Sequence, residues 1–129
     1  MVSGVWSETE PSVNIESVDG LDRFIDHAEA ECERPSAISI EAHGYRADFL
    51  VGHDKSFVHL TPDDPDRRPY HVTVGGEREG GLDFWLHSWH HTWVEARHLV
   101  PKEAAREAFR EFLRSGELSP IVEWEQYTA

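Results

Sequence analysis

The chain has 129 residues with 25 acidic against 12 basic side chains, and its formal net charge is -13. A negative field of that size repels nucleic acid and anionic membranes and favours a basic partner, although an acidic surface also serves solubility alone. No apolar run approaches the ~20 residues of a spanning helix, the single Cys32 cannot close an internal bridge, and the length suffices for one domain with its own core.

Residues 1–11 carry Trp6, Glu8 and Glu10 among small polar residues and read as a loose N-terminal arm or a poorly formed edge strand. They lack the basic start and apolar run of a signal peptide, which gives an expectation of a cytoplasmic protein. Val13 and Ile15 then alternate with Asn14 and Glu16, the pattern of a half-buried strand. Ser17 or Asp19 is placed to cap a first helix, with Leu21, Phe24, Ile25, Ala28 and Cys32 on one face and Pro35 closing it. On that face Cys32 is expected to be a small core residue and not a nucleophile.

From Ala37 the period shortens to two. Ile38 and Ile40 oppose Ser39 and Glu41, Gly44 permits a tight turn into Ala47, Phe49 and Val51, and a second turn through Gly52 leads to Phe57, Val58 and Leu60. Residues 37–61 are therefore expected to form an antiparallel meander. Residues 61–69 form the longest loop and the most acidic one. Tyr70, Val72 and Val74 mark another strand, ending at Gly75 and Gly76, and residues 77–81 make a polar turn. The segment 82–94 is ambiguous, because Trp85, Trp89 and Trp93 share a face in either a helix or a strand; its flanking glycines and aromatic load favour a strand kinked near Ser88.

Residues 99–124 hold the best-signalled helix. Pro101 suits its first position, Glu103 faces the positive end of the helix dipole, and Ala104, Ala105, Ala108, Phe109, Phe112 and Leu113 make an apolar stripe. Glu103 with Arg106, Glu107 with Arg110 and Glu111 with Arg114 are spaced for ion pairs on the wet side, and Gly116 ends the helix. Ile121, Val122 and Trp124 follow as a short strand, with Trp124 expected in the core. The sum is an α+β fold of order β-α-β-β-β-β-β-α-β, with both helices packed on one face of a mostly antiparallel sheet. The other face, or an edge, is left for function.

Chemistry is sparse. Nine histidines invite a metal reading, above all His87, His90 and His91 with His71 and His98 nearby, and His87, His91 and Glu95 could share a face, but no HExxH or CxxC motif accompanies them. Ser56 lies in no nucleophile elbow, no glycine-rich phosphate loop precedes a helix, and the acidic pairs sit in turns where solvation explains them. Five tryptophans exceed what the core plainly needs, and tryptophan is enriched at binding hot spots. Trp6, Trp89 and Trp93 are the candidates for a binding surface.

Leu99, Val100 and Pro101, then Ala105, Arg106, Ala108, Phe112 and Leu113, then Ser115, Gly116, Pro120, Val122 and Trp124 resemble the C-terminal signature of immunity protein family 1 of bacterial polymorphic toxin systems, often found beside deaminase toxins. Gly52, Asp54, Ser56, Phe57 and Val58 resemble that family's central turn and strand. The resemblance implies a protein that is not an enzyme, needs no cofactor or metal, and blocks the basic cleft of a cognate toxin domain. The contact surface expected for that role is Asp63, Asp64, Asp66, Glu77, Glu79, Trp89 and Trp93. Two alternatives remain open at this point: a small metal-dependent enzyme using His87, His91 and Glu95, and a non-catalytic scaffold. The sequence leaves oligomeric state undetermined.

Overall fold

The computed structural model of the protein describes residues 2–5, 12–86 and 90–128. In chain order the elements are strands β1 (Val2–Val5) and β2 (Val13–Ile15), helix α1 (Val18–Glu31), and strands β3 (Ser36–Ala42), β4 (Tyr45–Val51), β5 (Lys55–Ser56), β6 (Val58–Pro62), β7 (Tyr70–Val74), β8 (Gly81–Leu86) and β9 (His90–Glu95). A 3₁₀ turn (Ala96–His98), β10 (Val100–Pro101), helix α2 (Lys102–Ser115) and β11 (Glu123–Tyr127) complete them. The main sheet runs β11-β7-β6-β4-β3-β1-β2 with antiparallel neighbours, and β5 pairs with β10 apart from it. This is the expected α+β fold with a mostly antiparallel sheet.

Period-two alternation sorts the sheet into two faces. Ile38 and Ile40 of β3, Ala47, Phe49 and Val51 of β4, and Val58 and Leu60 of β6 are buried together with the stripes of both helices. Phe49 stacks on Phe109 of α2 with ring centroids 5.2 Å apart. Full burial of side chains of this size is worth about 1.5–3 kcal/mol each, so this layer dominates the stability. The β3–β4 turn has positive φ at both central residues, His43 at 54° and Gly44 at 83°, which matches the twist of a two-residue hairpin.

The helix signals hold at two ends of four; α1 stops at Glu31, with Cys32 as its extended cap, ahead of the Pro35 expected to close it. Ser17 caps α1 by accepting the Gly20 N–H at 3.0 Å, and Asp19 falls inside the first turn. Gly116 ends α2 in the left-handed region with φ 76°, donating its N–H to the Phe112 carbonyl at 2.8 Å. Cys32 packs against the core at the end of α1. Pro101 departs from expectation by one residue: its extended backbone, ψ 136°, keeps it in β10 opposite Lys55, and the helix starts at Lys102.

Three other expectations need correction. Residues 2–5 are no arm or edge but the strand β1, lying between β2 and β3. Gly4 permits that position, since a Cβ there would stand 2.7 Å from Ile15; Trp6 and the rest of 6–11 lie outside the described residues. The segment 82–94 is not one kinked strand but the two strands of a hairpin, with Asp83 opposite Trp93 and Trp85 opposite His91; Ser88 lies outside the described residues. The last strand starts later than expected, at Glu123, leaving Ile121 exposed, while Trp124 is half-buried against the core with its indole N–H donated to the Ser119 carbonyl at 2.9 Å.

The hairpin β8–β9 positions the site. Its first strand joins the sheet beside the start of β3 in parallel, Ser36 opposite Trp85 and Ala37 opposite Leu86. There it covers part of the face without helices, burying Phe84 and Val94 with Ala37, Leu50, Phe57 and Leu99 in a second apolar cluster.

Candidate interaction surface

Between this hairpin and the uncovered part of the sheet lies a cleft of about 620 Å³. Phe57, Phe84, Leu86 and Val94 supply its apolar wall, and Arg46, Asp48, His59, Arg97, Glu125 and Tyr127 its polar floor and rim. The same alternation that sends Ala47 and Phe49 towards the helices sends Arg46 and Asp48 into the cleft.

Asp48 has a side chain only 7% exposed. Burying a carboxylate demands compensation: the Ser39 hydroxyl donates to it at 2.5 Å and Arg46 Nη2 at 3.2 Å. His59 Nδ1 stands 3.9 Å from the same carboxylate, and its Nε2 is hydrogen-bonded to the Tyr127 hydroxyl at 2.5 Å. Tyr127 in turn stacks on Tyr70, centroids 5.0 Å apart. Burial pushes the His59 imidazole below its ordinary range despite the pull of Asp48, and burial with the nearby Tyr70 and Glu125 pushes the Tyr127 phenol up. Asp48, His59 and Tyr127 thus form one chain of polar contacts across the floor of the cleft.

The rim is tied by ions. Arg97 donates to Glu125 at 2.6 Å and to Glu95 at 2.5 Å, and His98 Nε2 lies 3.3 Å from Glu125. The hydrogen bond from Arg97, helped by His98, holds the Glu125 carboxyl below its usual range. The end of the hairpin is thereby fastened to β11.

Of the residues expected to make contacts, Asp63, Asp64 and Asp66 are exposed in the loop 63–69. Asp64 accepts the Asp66 N–H at 3.2 Å and faces Arg67 at 3.4 Å. Glu77 and Glu79 are exposed in the loop 75–80, with Glu77 3.9 Å from Lys55. These loops leave opposite ends of β7, whose five residues separate them by about 17 Å at 3.3–3.4 Å per residue. The two acidic groups are not brought together. Trp93 stands on the rim of the cleft, 56% exposed, and Trp89 lies outside the described residues.

The metal set does not assemble. His91 Nε2 is bonded to Asp83 at 2.8 Å and its ring packs on Trp85 at 5.1 Å, while Glu95 is engaged by Arg97. Four residues along a strand puts His91 and Glu95 about 13 Å apart, where a helix would have joined them. His87 lies outside the described residues, and among those described no group of three or more His, Cys, Asp or Glu converges. Cys32 Sγ meets the Glu29 carbonyl at 3.6 Å, and burial raises its thiol. No helix among the described residues is long and apolar enough to cross a membrane.

Against known proteins, residues 10–126 match the family model described as Immunity protein Imm1. No curated protein matches the chain.

Proposed function

The chain belongs to the Imm1 family of immunity proteins, and on that premise we propose that it protects by binding a cognate toxin domain one to one and covering that domain's active cleft, without catalysing a reaction itself. The toxin in this reading is nucleic-acid-directed, such as a deaminase, and acts in the cytoplasm. A toxin that grips nucleic acid must present a basic cleft.

The observation that carries this reading is the formal charge of -13 on a chain of 129 residues. Such a body approaches a basic cleft under electrostatic steering, which raises association rates at low salt. Asp63, Asp64 and Asp66 at one end of β7 and Glu77 and Glu79 at the other act in this account as two separate sources of negative field. Trp93 and Trp89 supply the rigid apolar contacts that slow dissociation. The face without helices, where the cleft opens, is the surface that meets the toxin.

Mixing the purified chain with a toxin domain found in a gene adjoining its own tests the proposal. A 1:1 complex by size-exclusion chromatography, with an association rate that falls steeply as salt rises, is the expected result. Absence of a complex at micromolar concentrations overturns it.

A further inference from the structure

The hairpin β8–β9 presents two indoles on its outward side. Directly opposite residues in an antiparallel pair share a face, so the registers Trp85 to His91 and Asp83 to Trp93 put all four side chains on one surface. The two rings are occupied differently. Trp85 is half-buried, with the guanidinium carbon of Arg34 4.0 Å from its ring centroid and the His91 imidazole packed beside it.

Trp93 is 56% exposed, and among the described residues no cation stacks on it. Its ring rests against Gly81, where a Cβ would stand 2.2 Å from the indole. That seat backs one side of the ring. Its neighbours are acidic: Asp83, 56% exposed at its side chain, lies directly across, and Glu95, 55% exposed, is the next residue of β9 on the same face. A flat π face attracts a cation through its ring quadrupole, and the adjoining carboxylates, Asp83 bonded to His91 and Glu95 to Arg97, add a weaker, partly compensated negative charge.

We infer that the open face of Trp93, with Asp83 and Glu95 beside it, receives one basic side chain of the toxin domain, an arginine or a lysine. This rests on the toxin-binding reading above and names the chemistry of its anchor. The charge of the chain fits a basic partner, and the Arg34–Trp85 pair on the same hairpin surface has the geometry expected of the contact.

The test uses the toxin domain that forms the 1:1 complex described above, purified. Dissociation constants are measured for the wild type and for Trp93→Leu, Trp93→Phe and Asp83→Asn, each checked for an unchanged melting transition. Trp93→Leu keeps apolar bulk and loses the π face; it is expected to weaken binding by about five- to thirtyfold, with Trp93→Phe losing less. One Arg→Met or Lys→Met change in the toxin should weaken binding to the wild type by a similar factor and add little to Trp93→Leu. Wild-type affinity in Trp93→Leu overturns the inference, as does a loss that couples to no basic toxin residue. In both of those cases the wild-type complex still forms, so the toxin-binding reading stands. If the wild type itself forms no complex, that reading fails and takes the anchor with it.

Discussion

The carboxylate of Asp22 on α1 accepts a hydrogen bond of 2.8 Å from Nε of Arg110 on α2 and a second, of 3.2 Å, from Nε of Arg106. Arg106 also reaches Asp26 at 2.9 Å and Arg110 reaches Glu107 at 3.1 Å, so the two helices are joined by a five-residue ion cluster above the apolar layer. Burial works to raise the Asp22 carboxyl, but the hydrogen bonds and charges of Arg110 and Arg106 outweigh it and hold the group below its ordinary 3.8. A lowered folded-state value means that the stabilisation is present above that ordinary value and lost as pH falls through the folded one.

Asp22→Ala is therefore expected to cost about 1–2 kcal/mol at neutral pH, a partly exposed network being weaker than a buried one. Urea unfolding at neutral and at acidic pH checks it: the gap between wild type and variant should shrink as the carboxyl protonates. An equal gap at both pH values refutes the ion cluster as its source.

His59 governs a second pH dependence. Its side chain is 25% exposed and burial lowers its folded-state value below the ordinary 6.5, with Asp48 only partly opposing this. The unfolded chain then takes up the proton more readily, so stability is fully present above that ordinary value and declines as pH falls from it towards the folded one. His59→Gln should flatten this acid-side decline, read from unfolding free energies at about pH 7.5 and 5.5. His71, lowered by burial in the same direction, leaves a residual slope in the variant.

Gly116→Ala tests the stop signal of α2. The residue holds φ 76°, and an added Cβ would lie 2.9 Å from the imidazole of His43, whose Nε2 bonds the Leu113 carbonyl at 2.9 Å. Backbone strain in the left-handed region costs about 1–2 kcal/mol, and the displaced imidazole gives up a carbonyl of the last helical turn. A fall in melting temperature is expected, and an unchanged one shows that the turn repacks freely.

How far the sequence is legible depends on how local each signal is. Ser17 and Gly116 mark helix ends through bonds made within a few residues, and both stand where expected. The stripe of α2 is equally local, yet Arg106 leaves its neighbour Glu103 for Asp22 because a helix from elsewhere in the chain offers a better-placed acid. The even spacing of Trp85 and Trp93 fits one strand or two, and only the chain reversal in between decides it.

The cleft is less legible still. It exists because β8 pairs in parallel with β3 some fifty residues earlier, which no local pattern announces. Arg46 and Asp48 alternate with Ala47, Phe49 and Val51, and Asp48 ends only 7% exposed at its side chain, with Ser39 of β3, Arg46 and His59 of β6 around its carboxylate. The alternation through β4 and β6 did carry a signal for Asp48 and His59, since both fall on the side opposite the core.

The loop 63–69 is expected to act on association and not on the fold. Replacing Asp63, Asp64 and Asp66 together by lysine should slow binding to the toxin domain roughly tenfold at low salt and flatten the salt dependence, with dissociation nearly unchanged. All three side chains are exposed, so the melting transition should move little. Stopped-flow association at two salt concentrations checks this, and unchanged kinetics shift the steering to Glu77 and Glu79 or to the body as a whole.

The most direct test of the central claim is a titration of toxin activity with the purified chain at a toxin concentration far above the dissociation constant. Inhibition by occupancy predicts activity that falls in a straight line and reaches zero at one equivalent. Activity that persists at excess, or that vanishes at a small fraction of an equivalent through turnover, contradicts it.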